Sequence, residues 1–166
     1  MAWTSPSAAT VGRSVLHATF VIERTFEAAP AQVFAAFADR AAKASWFVGP
    51  DHWQAFDYRL DFRVGRSEHL SNKVPGGPTH TFDARYEDIV PAQRIVYTYE
   101  MHLDDRRISV SLATLELLPA GAGTKLILTE QDAFLDGADL PIQREQGMGA
   151  LLDNLEAYLK RTSTAV

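Results

Sequence analysis

Apolar positions in the first third of the chain follow a strand pattern and then a helix pattern. Residues 17–26 are rich in β-branched and aromatic side chains that partly alternate, which predicts a first strand. Pro30 comes next, at a position that the first turn of a helix tolerates, and the apolar residues after it recur at helical spacing up to Asp39. A second short helix is predicted over residues 41–47, ending before Gly49.

From Trp53 onward the apolar period falls to two, which is typical of strands with one buried face. Residues 79–89 show this most clearly, because charged residues alternate there with apolar and aromatic ones. Prolines and glycines separate the runs and predict short turns between consecutive strands. The predicted strands cover residues 53–61, 67–72, 79–89, 94–103, 108–118 and 125–134.

One long helix is predicted at the C-terminal end, over residues 141–160. Its apolar residues recur at spacings of three and four and form one stripe. Asp139 stands just ahead of it as a candidate N-cap. A helix of about 20 residues extends about 30 Å. The stripe consists of Met148, Leu151, Leu152, Leu155 and Leu159.

These elements predict a single domain of the α+β class over residues 17–162, with two short helices after strand one. Consecutive strands joined by short turns favour an antiparallel sheet, here of about six or seven strands. A sheet with one apolar face needs a cover, and the C-terminal helix is the predicted element long enough to provide it. A curved sheet that wraps one helix leaves a gap, which large side chains or a bound ligand must fill. The side chains predicted to line this gap are Trp46, Phe47, Trp53, Phe82, Tyr97, Tyr99, Met101 and Met148.

Two features of this interior have more than one interpretation. Trp46 and Phe47 either plug the end of the sheet or gate a pocket, since an aromatic ring offers a large apolar face at low entropic cost. Gly147 and Gly149 are also unusual, because a glycine inside a helix costs about 0.8–1 kcal/mol relative to alanine. They indicate a close approach of helix and sheet, space left above a ligand, or a frayed first half of the helix.

The composition narrows the classes of function. The chain has 166 residues and a net charge of −5, and this acidity argues against nucleic acid or an anionic membrane surface as the main partner. It contains no cysteine, which excludes disulfides and thiolate chemistry. No apolar run approaches the length needed to cross a bilayer, and the N-terminal residues carry no signal-peptide pattern. We therefore predict a cytoplasmic protein with a frayed segment over residues 1–16.

One run of residues near the N-terminal end resembles a known superfamily. The run reads R-x-F-x-A-x-P-x-x-V-F-x-A-F, and a Trp-aromatic pair follows it. It is similar to the START-like superfamily, and within it to the family named after the activator of the ATPase of the ninety-kilodalton heat-shock chaperone. Polyketide cyclases and birch-pollen-allergen-like proteins are more distant relatives. The residues that carry the resemblance are Arg24, Phe26, Ala28, Pro30, Val33, Phe34, Ala36 and Phe37.

The resemblance extends over residues 17–160 and implies a helix-grip fold with an internal apolar cavity. Two residues depart from the family pattern. Arg66 stands where a second glycine is usual, and Met148 stands where a tryptophan is common. Because both changes alter the shape of the cavity, the identity of a ligand does not follow from the resemblance.

Four residues are candidates for acid–base chemistry on a molecule bound in the interior, which requires a titratable group within reach. His80 and His102 stand near strand ends, and Tyr97 lies on an aromatic strand face. Glu68 lies in a mostly apolar strand, where it either pairs with Arg24 or faces water. No two of the five histidines have a metal-binding spacing, so we predict neither a metal nor a cofactor.

Three functions follow from these observations. The first is binding of a small hydrophobic ligand (a lipid, polyketide or aromatic compound) in a cavity between the sheet and the C-terminal helix. The second is an enzyme of the cyclase, aromatase or hydrolase type that uses the same pocket. The third, implied by the family name, is a module that interacts with a chaperone. A homodimer is an open alternative for the assembly of the chain.

Overall fold

The computed structural model describes residues 12–164. Strands and helices follow one another in the predicted order. The first strand begins at Val15, two residues earlier than predicted, and residues 1–11 of the predicted frayed segment lie outside the described residues. The elements are β1 (Val15–Phe26), α1 (Pro30–Ala38), α2 (Arg40–Trp46), β2 (Gln54–Leu60), β3 (Ser67–Lys73), β4 (Thr79–Val90), β5 (Arg94–Leu103), β6 (Arg106–Ala120), β7 (Gly123–Leu135) and α3 (Pro141–Ser163).

The seven strands form one antiparallel sheet in the order β1-β7-β6-β5-β4-β3-β2. The chain runs through consecutive hairpins from β2 to β7, and β1 completes the sheet by pairing with β7. Register shifts interrupt three of the ladders, and irregularities of this kind bend a strand and increase its twist. They therefore help the sheet to curve around α3. The shifts lie between Phe56 and Arg59, between Tyr86 and Asp88, and between Met101 and His102.

α3 covers the concave face of this sheet. Its residues Leu152, Leu155 and Leu159 are buried and belong to the same core cluster as residues of the sheet and of α1. The α+β helix-grip fold is therefore confirmed. The predicted cap is wrong by one residue, because Leu140 occupies the N-cap position. The side chain of Asp139 instead accepts the N–H of Leu140 at 2.8 Å.

The two short helices form a corner at one end of the sheet. The side chain of Gln32 accepts the N–H of Ala29 at the start of α1, at 3.0 Å, and Asp39 accepts a backbone N–H of α2 at 2.7 Å. These bonds satisfy donors that a helix end leaves open. Helices this short are not stable alone. Trp46 joins them, because its Nε1 donates to the carbonyl of Ala36 at 3.0 Å.

The core lies between the concave face of the sheet and the three helices. Leu126 and Leu128 are fully buried on the floor of this core, and burying such a side chain stabilises the fold by about 1.5–3 kcal/mol. The last turn of α3 carries Lys160 and Arg161, which suit the negative end of the helix dipole. Within residues 12–164, no helix has both the length and the apolar character of a membrane span.

Candidate functional site

The interior cavity that the sequence predicts between the sheet and α3 is filled. A void of about 10 Å³ remains beneath α3, close to the space that one water molecule needs. The ring centroid of Phe82 lies 5.1 Å from that of Phe47 and 5.0 Å from that of Tyr99, so the aromatic side chains pack against one another. Large side chains therefore occupy the predicted gap. The void is lined by residues that include Lys43, Trp46, Phe47, Tyr97, Leu128 and Met148.

The eight predicted ligand-binding residues are only partly brought together. Four of them line the void, namely Trp46, Phe47, Tyr97 and Met148. Phe82 and Tyr99 are buried beside it, and Met101 is a partly buried neighbour of the core. Trp53 lies apart from this group: its ring lies 4.4 Å from the ring of His80, and its Nε1 donates to His52 at 3.1 Å.

Trp46 is a plug of the core rather than a gate. The side chain is 3% exposed, and its Nε1 is bonded to the backbone of α1. The rings of Phe37 and Phe47 lie edge-on to it at 5.0 Å and 5.8 Å. Such aromatic pairs contribute stability beyond the burial of their area. Trp46 would lose these contacts and its hydrogen bond if it swung outward.

Gly147 and Gly149 do not mark a close approach of α3 to the sheet. A Cβ atom at Gly147 would meet nothing within 4 Å, and one at Gly149 would meet only Nη2 of Arg24 at 3.6 Å. The helix is continuous through both residues, so its first half is not frayed either. Two glycines within one turn lower the stability of the helix on either side of Met148.

The floor of the interior changes from apolar to charged along its length. On β7, the buried leucines are followed on the same face by Glu130 and Asp132, because alternate residues of a strand share a face. The facing side of α3 also changes from apolar to charged here, since Arg144 lies one helical turn before Met148 and close to Glu130 and Asp132. We call the charged group the Arg144 cluster. It consists of Tyr99, Ser109, Ser111, Glu130, Asp132, Asp139 and Arg144.

Arg144 joins the first turn of α3 to the sheet. Its Nη1 donates to the hydroxyl groups of Tyr99 at 2.9 Å and Ser111 at 3.3 Å. Its Nη2 donates to the hydroxyl of Ser109 at 2.8 Å and to Oδ2 of Asp139 at 2.6 Å. Each terminal nitrogen of a guanidinium carries two N–H donors. All four of these donors of Arg144 are therefore used.

Each of the two buried carboxyl groups of the cluster accepts a hydrogen bond from another side chain at only one of its two oxygens. The Tyr99 hydroxyl donates to Oε1 of Glu130, and the Ser111 hydroxyl donates to Oδ1 of Asp132 at 2.5 Å. Within the part of the chain that the structure describes, Oε2 of Glu130 and Oδ2 of Asp132 are buried and accept from no other group, so only a proton on Glu130, shared with Asp132, can pair them. Nη1 of Arg144 lies 3.6 Å and 3.8 Å from the two groups, too far for a hydrogen bond. Buried polar atoms without partners are rare and need an explanation.

The pKa of Glu130 is raised to about 8, first by burial and then by the negative charge of Asp132. The hydrogen bond from Tyr99 and the charge of Arg144 lower the pKa by less, and a hydrogen bond between Glu130 and Asp132 raises it further. Burial also raises the pKa of the Tyr97 and Tyr99 hydroxyls well above the ordinary value, so both stay protonated. The cluster therefore holds a carboxyl proton at neutral pH that it releases in mildly alkaline solution.

A second buried ionic group lies on the other side of Tyr97, and its bonds are complete. Oε2 of Glu68 accepts from Nζ of Lys43 at 2.6 Å and from the hydroxyl of Tyr86 at 2.6 Å. Oε1 of Glu68 accepts from Tyr58 at 2.9 Å. Both oxygens of this predicted catalytic candidate are therefore used, which favours a structural role. Neither alternative expected for Glu68 holds: it is buried rather than facing water, and its partner is Lys43 rather than Arg24. Arg24 lies 3.7 Å from Asp153.

The two predicted catalytic histidines lie at the margin of the interior. Burial lowers the pKa of His80, while Asp139 and Asp104 raise it by less. Nε2 of His102 lies 3.7 Å from Oε2 of Glu100. Its buried Nδ1 has no partner among residues 12–164. Of the four candidates, the structure thus places Glu68 and Tyr97 inside and the two histidines at the edge.

A groove of about 290 Å³ lies on the outer surface between α1, α2 and the C-terminal end of α3. Polar side chains that line it are engaged in the ends of these helices. Gln32 and Asp39 accept backbone N–H groups of α1 and α2. Thr162 and Ser163 donate to carbonyl groups of α3. The groove therefore offers few free polar groups for recognition, in contrast to the Arg144 cluster.

Glu130, Asp132 and Arg144 were not among the predicted site residues, although the sequence carries a signal for them. Two acidic residues continue the apolar face of β7 after the leucines, and Arg144 continues the apolar stripe of α3 toward its start. A charged residue at a core position needs a partner or a function. No group of three or more metal-ligating side chains capable of holding a metal ion occurs within residues 12–164.

The comparison with known proteins gives the family. A family model described as "Activator of Hsp90 ATPase homolog 1-like protein" matches residues 27–160. The chain belongs to this family. The resemblance that the sequence indicates is thereby confirmed, and the family and the fold together support a ligand-binding domain. The activity in that description is the one for which the family is named, and it does not specify a ligand.

Three solved structures illustrate how far the similarity extends. A protein of uncharacterised function from Rhizobium leguminosarum is 48% identical with a TM-score of 0.86, covering 90% of this chain and 98% of its own. A protein from Rhizobium loti is 46% identical with a TM-score of 0.81, covering 87% and 99%. A protein from Chromobacterium violaceum is 29% identical with a TM-score of 0.72, covering 85% and 96%. None of the curated proteins compared with this chain matches it.

Proposed function

We propose that this protein binds a small organic molecule beneath the first half of α3, with an apolar body and a polar head. The body would occupy the void and the space of the Met148 side chain, and the head would lie at the Arg144 cluster. The observation that carries this proposal is the pair of carboxyl groups of Glu130 and Asp132, each with one oxygen that accepts from no other group. They lie where the buried residues of β7 and the facing residues of α3 both change from apolar to charged. Apolar walls with a few polar groups are typical of small-molecule sites.

A purely structural role accounts poorly for the Arg144 cluster. Well-packed apolar side chains of similar volume are often as stabilising as a buried ionic network, or more so. Leu115 and Leu128 show that this floor accommodates apolar residues at neighbouring core positions. A buried group of titratable residues with a raised pKa is instead a feature of functional sites. The proposal therefore assigns the cluster to recognition of a ligand.

Binding requires the filled interior to open at a specific place. Met148 is unbranched and adaptable, and it lies between two glycines that weaken the helix around it. An outward movement of this part of α3 would open a path from the void to the Arg144 cluster. The head of the ligand would then lie against the cluster. The first half of α3 is therefore the proposed entrance.

Titration with an apolar fluorescent probe, combined with native mass spectrometry of freshly purified protein, tests the proposed function. Met148→Trp fills the void and is expected to reduce probe affinity at least tenfold. Ala35→Phe fills the surface groove instead and serves as the matched control, with no expected loss. Loss of binding with Ala35→Phe alone would place the ligand in the groove. No bound compound and no probe binding by the folded wild type would overturn the proposal.

A second function, acid–base catalysis on the bound molecule, is favoured by the pKa of Glu130, which is raised to about 8. A general acid or base is most effective when its pKa lies near the operating pH. This agrees with the cyclase, aromatase or hydrolase alternative, with Glu130 in place of the predicted Glu68. Exchange of the α-protons of 2-indanone for deuterium, followed by NMR, tests it. Glu130→Gln is expected to abolish catalysed exchange, and equal exchange by both proteins would exclude this role.

A further inference from the structure

We infer that the interior site takes a molecule whose head is a protonated amine, held by the free oxygens of Glu130 and Asp132. The inference rests on the proposed function and specifies the chemical class of its ligand. Oε2 of Glu130 and Oδ2 of Asp132 accept from no other group, and both are hydrogen-bond acceptors once Glu130 has lost the proton that it shares with Asp132. An alkylammonium group carries three N–H donors and no acceptor. One such group can therefore satisfy both atoms at once.

An anionic head would find no comparable site. The four N–H donors on the terminal nitrogens of Arg144 already bond to protein oxygens, among them the carboxylate of Asp139 at 2.6 Å. A carboxylate or phosphate would have to displace these acceptors before it could bond to Arg144. It would also approach Asp132, and like charges repel strongly in a buried site. The arrangement of donors and acceptors thus discriminates against anions.

The balance of charge points in the same direction. The cluster holds one guanidinium, that of Arg144, against the carboxylates of Asp132 and Asp139 even when Glu130 is protonated. Lys43, at the far side of the void, is already neutralised by Glu68 at 2.6 Å. A buried excess of negative charge is costly unless it is paired. A cationic head would supply the missing charge.

The proton of Glu130 competes with such a ligand, because either one satisfies the same oxygen. Below pH 8, binding of the ammonium would displace this proton, so affinity should rise about tenfold for each pH unit. It should level off above that pH and fall once the amine itself deprotonates, near pH 10. The titratable and charged groups that face Glu130 or its neighbours are Tyr97 and Tyr99 of β5, Asp132 of β7, Arg144 of α3, Asp139 before α3, His80 of β4 and, beyond Tyr97, Glu68 of β3.

Three probes of matched size test the inference by isothermal titration calorimetry: 2-phenylethylamine, 2-phenylethanol and phenylacetate. At pH 8 the amine is expected to bind at least tenfold more tightly than the alcohol, with phenylacetate weakest. At pH 7, titrations in two buffers of different ionisation enthalpy should show release of close to one proton per amine bound. Glu130→Gln should remove this pH dependence of amine binding but leave the affinity for the alcohol unchanged. Glu116→Gln, at an exposed position of β6, is the matched control and should behave like the wild type.

The outcomes separate this inference from the proposed function. Equal affinity for the amine and the alcohol, tighter binding of phenylacetate, or no proton release would overturn the inference and leave small-molecule binding intact. Failure of all three probes to bind the folded wild type would overturn both. Circular dichroism of each variant confirms that the fold is retained. Should Glu130→Gln fail to fold, Asp132→Asn supplies the same test, with an expected loss of amine affinity of at least tenfold and no loss for the alcohol.

Discussion

Nζ of Lys43 in α2 lies 2.6 Å from Oε2 of Glu68 in β3, and both side chains are almost completely buried. Two tyrosine hydroxyls complete the shell of Glu68. The ion pair therefore fastens the corner of the short helices to the far side of the sheet. It differs from the Arg144 cluster, where two carboxyl oxygens accept from no other group within residues 12–164. We therefore assign the Lys43–Glu68 pair to the stability of the fold and the Arg144 cluster to the proposed site.

Lys43→Met is expected to destabilise the fold by about 3–5 kcal/mol, because it leaves the buried charge of Glu68 without a cation. The double variant Lys43→Met/Glu68→Gln should be more stable than Lys43→Met, since it removes the unpaired charge as well. Urea unfolding of the two single variants, the double variant and the wild type measures this coupling. Simple additivity of the two single effects would show that the pair does not interact.

Gly147→Ala and Gly149→Ala are each expected to stabilise the protein by about 0.5–1 kcal/mol, because alanine favours the helix and both positions have room for a methyl group. The double variant should also bind apolar probes more weakly or more slowly, since the proposed entrance becomes stiffer. Thermal unfolding and stopped-flow probe binding measure the two effects. Stabilisation without any change in binding would place the entrance elsewhere.

Gly123→Ala is expected to destabilise the protein severely, by at least about 3 kcal/mol. A Cβ atom at this position would lie 2.2 Å from the carbonyl oxygen of Phe26. The contact is with backbone in the β1–β7 ladder, so it cannot be relieved by a side-chain rotation. Gly147→Ala is the matched control. Chemical unfolding measures the free energy of unfolding of both variants and of the wild type. Wild-type stability of Gly123→Ala would contradict the tight pairing of these two strands.

The stability of the protein should depend on pH through Glu130. Its pKa is about 8 in the folded state against an ordinary value of 4.5, so between these values the folded state retains a proton that the unfolded state has lost. The contribution of this group is complete below pH 4.5 and is lost as the pH rises to about 8. The free energy of unfolding should fall by about 1.4 kcal/mol per pH unit in this window.

Glu130→Gln removes this titration and should be more stable than the wild type at pH 8, with a smaller difference at pH 5. Urea unfolding at several pH values measures the slope. The exposed Glu116→Gln variant should retain the wild-type slope. An unchanged slope in Glu130→Gln would mean that Glu130 is ionised throughout this range.

The sequence predicted where the interior site lies, but not whether the space there is open or filled. The aromatic residues of β5 and the apolar stripe of α3 indicate that the two elements face each other, and Tyr97 and Met148 do line one void. The pattern does not show whether such side chains leave a hollow or fill it. That depends on how rings from several strands fit together in three dimensions, and here they leave room for about one water molecule.

The sequence by itself determined the types and order of the strands and helices, because apolar periods of two and of about 3.6 arise from contacts between near neighbours in the chain. It also determined the antiparallel sheet and its single long cover. Only the tertiary structure decided which polar and charged groups meet: Lys43 with Glu68, and Tyr99 with Glu130, which lies 31 residues away. The physical reason is distance, since burial, hydrogen bonding and the pKa of a carboxyl group depend on atoms that only the folded chain brings within a few ångströms.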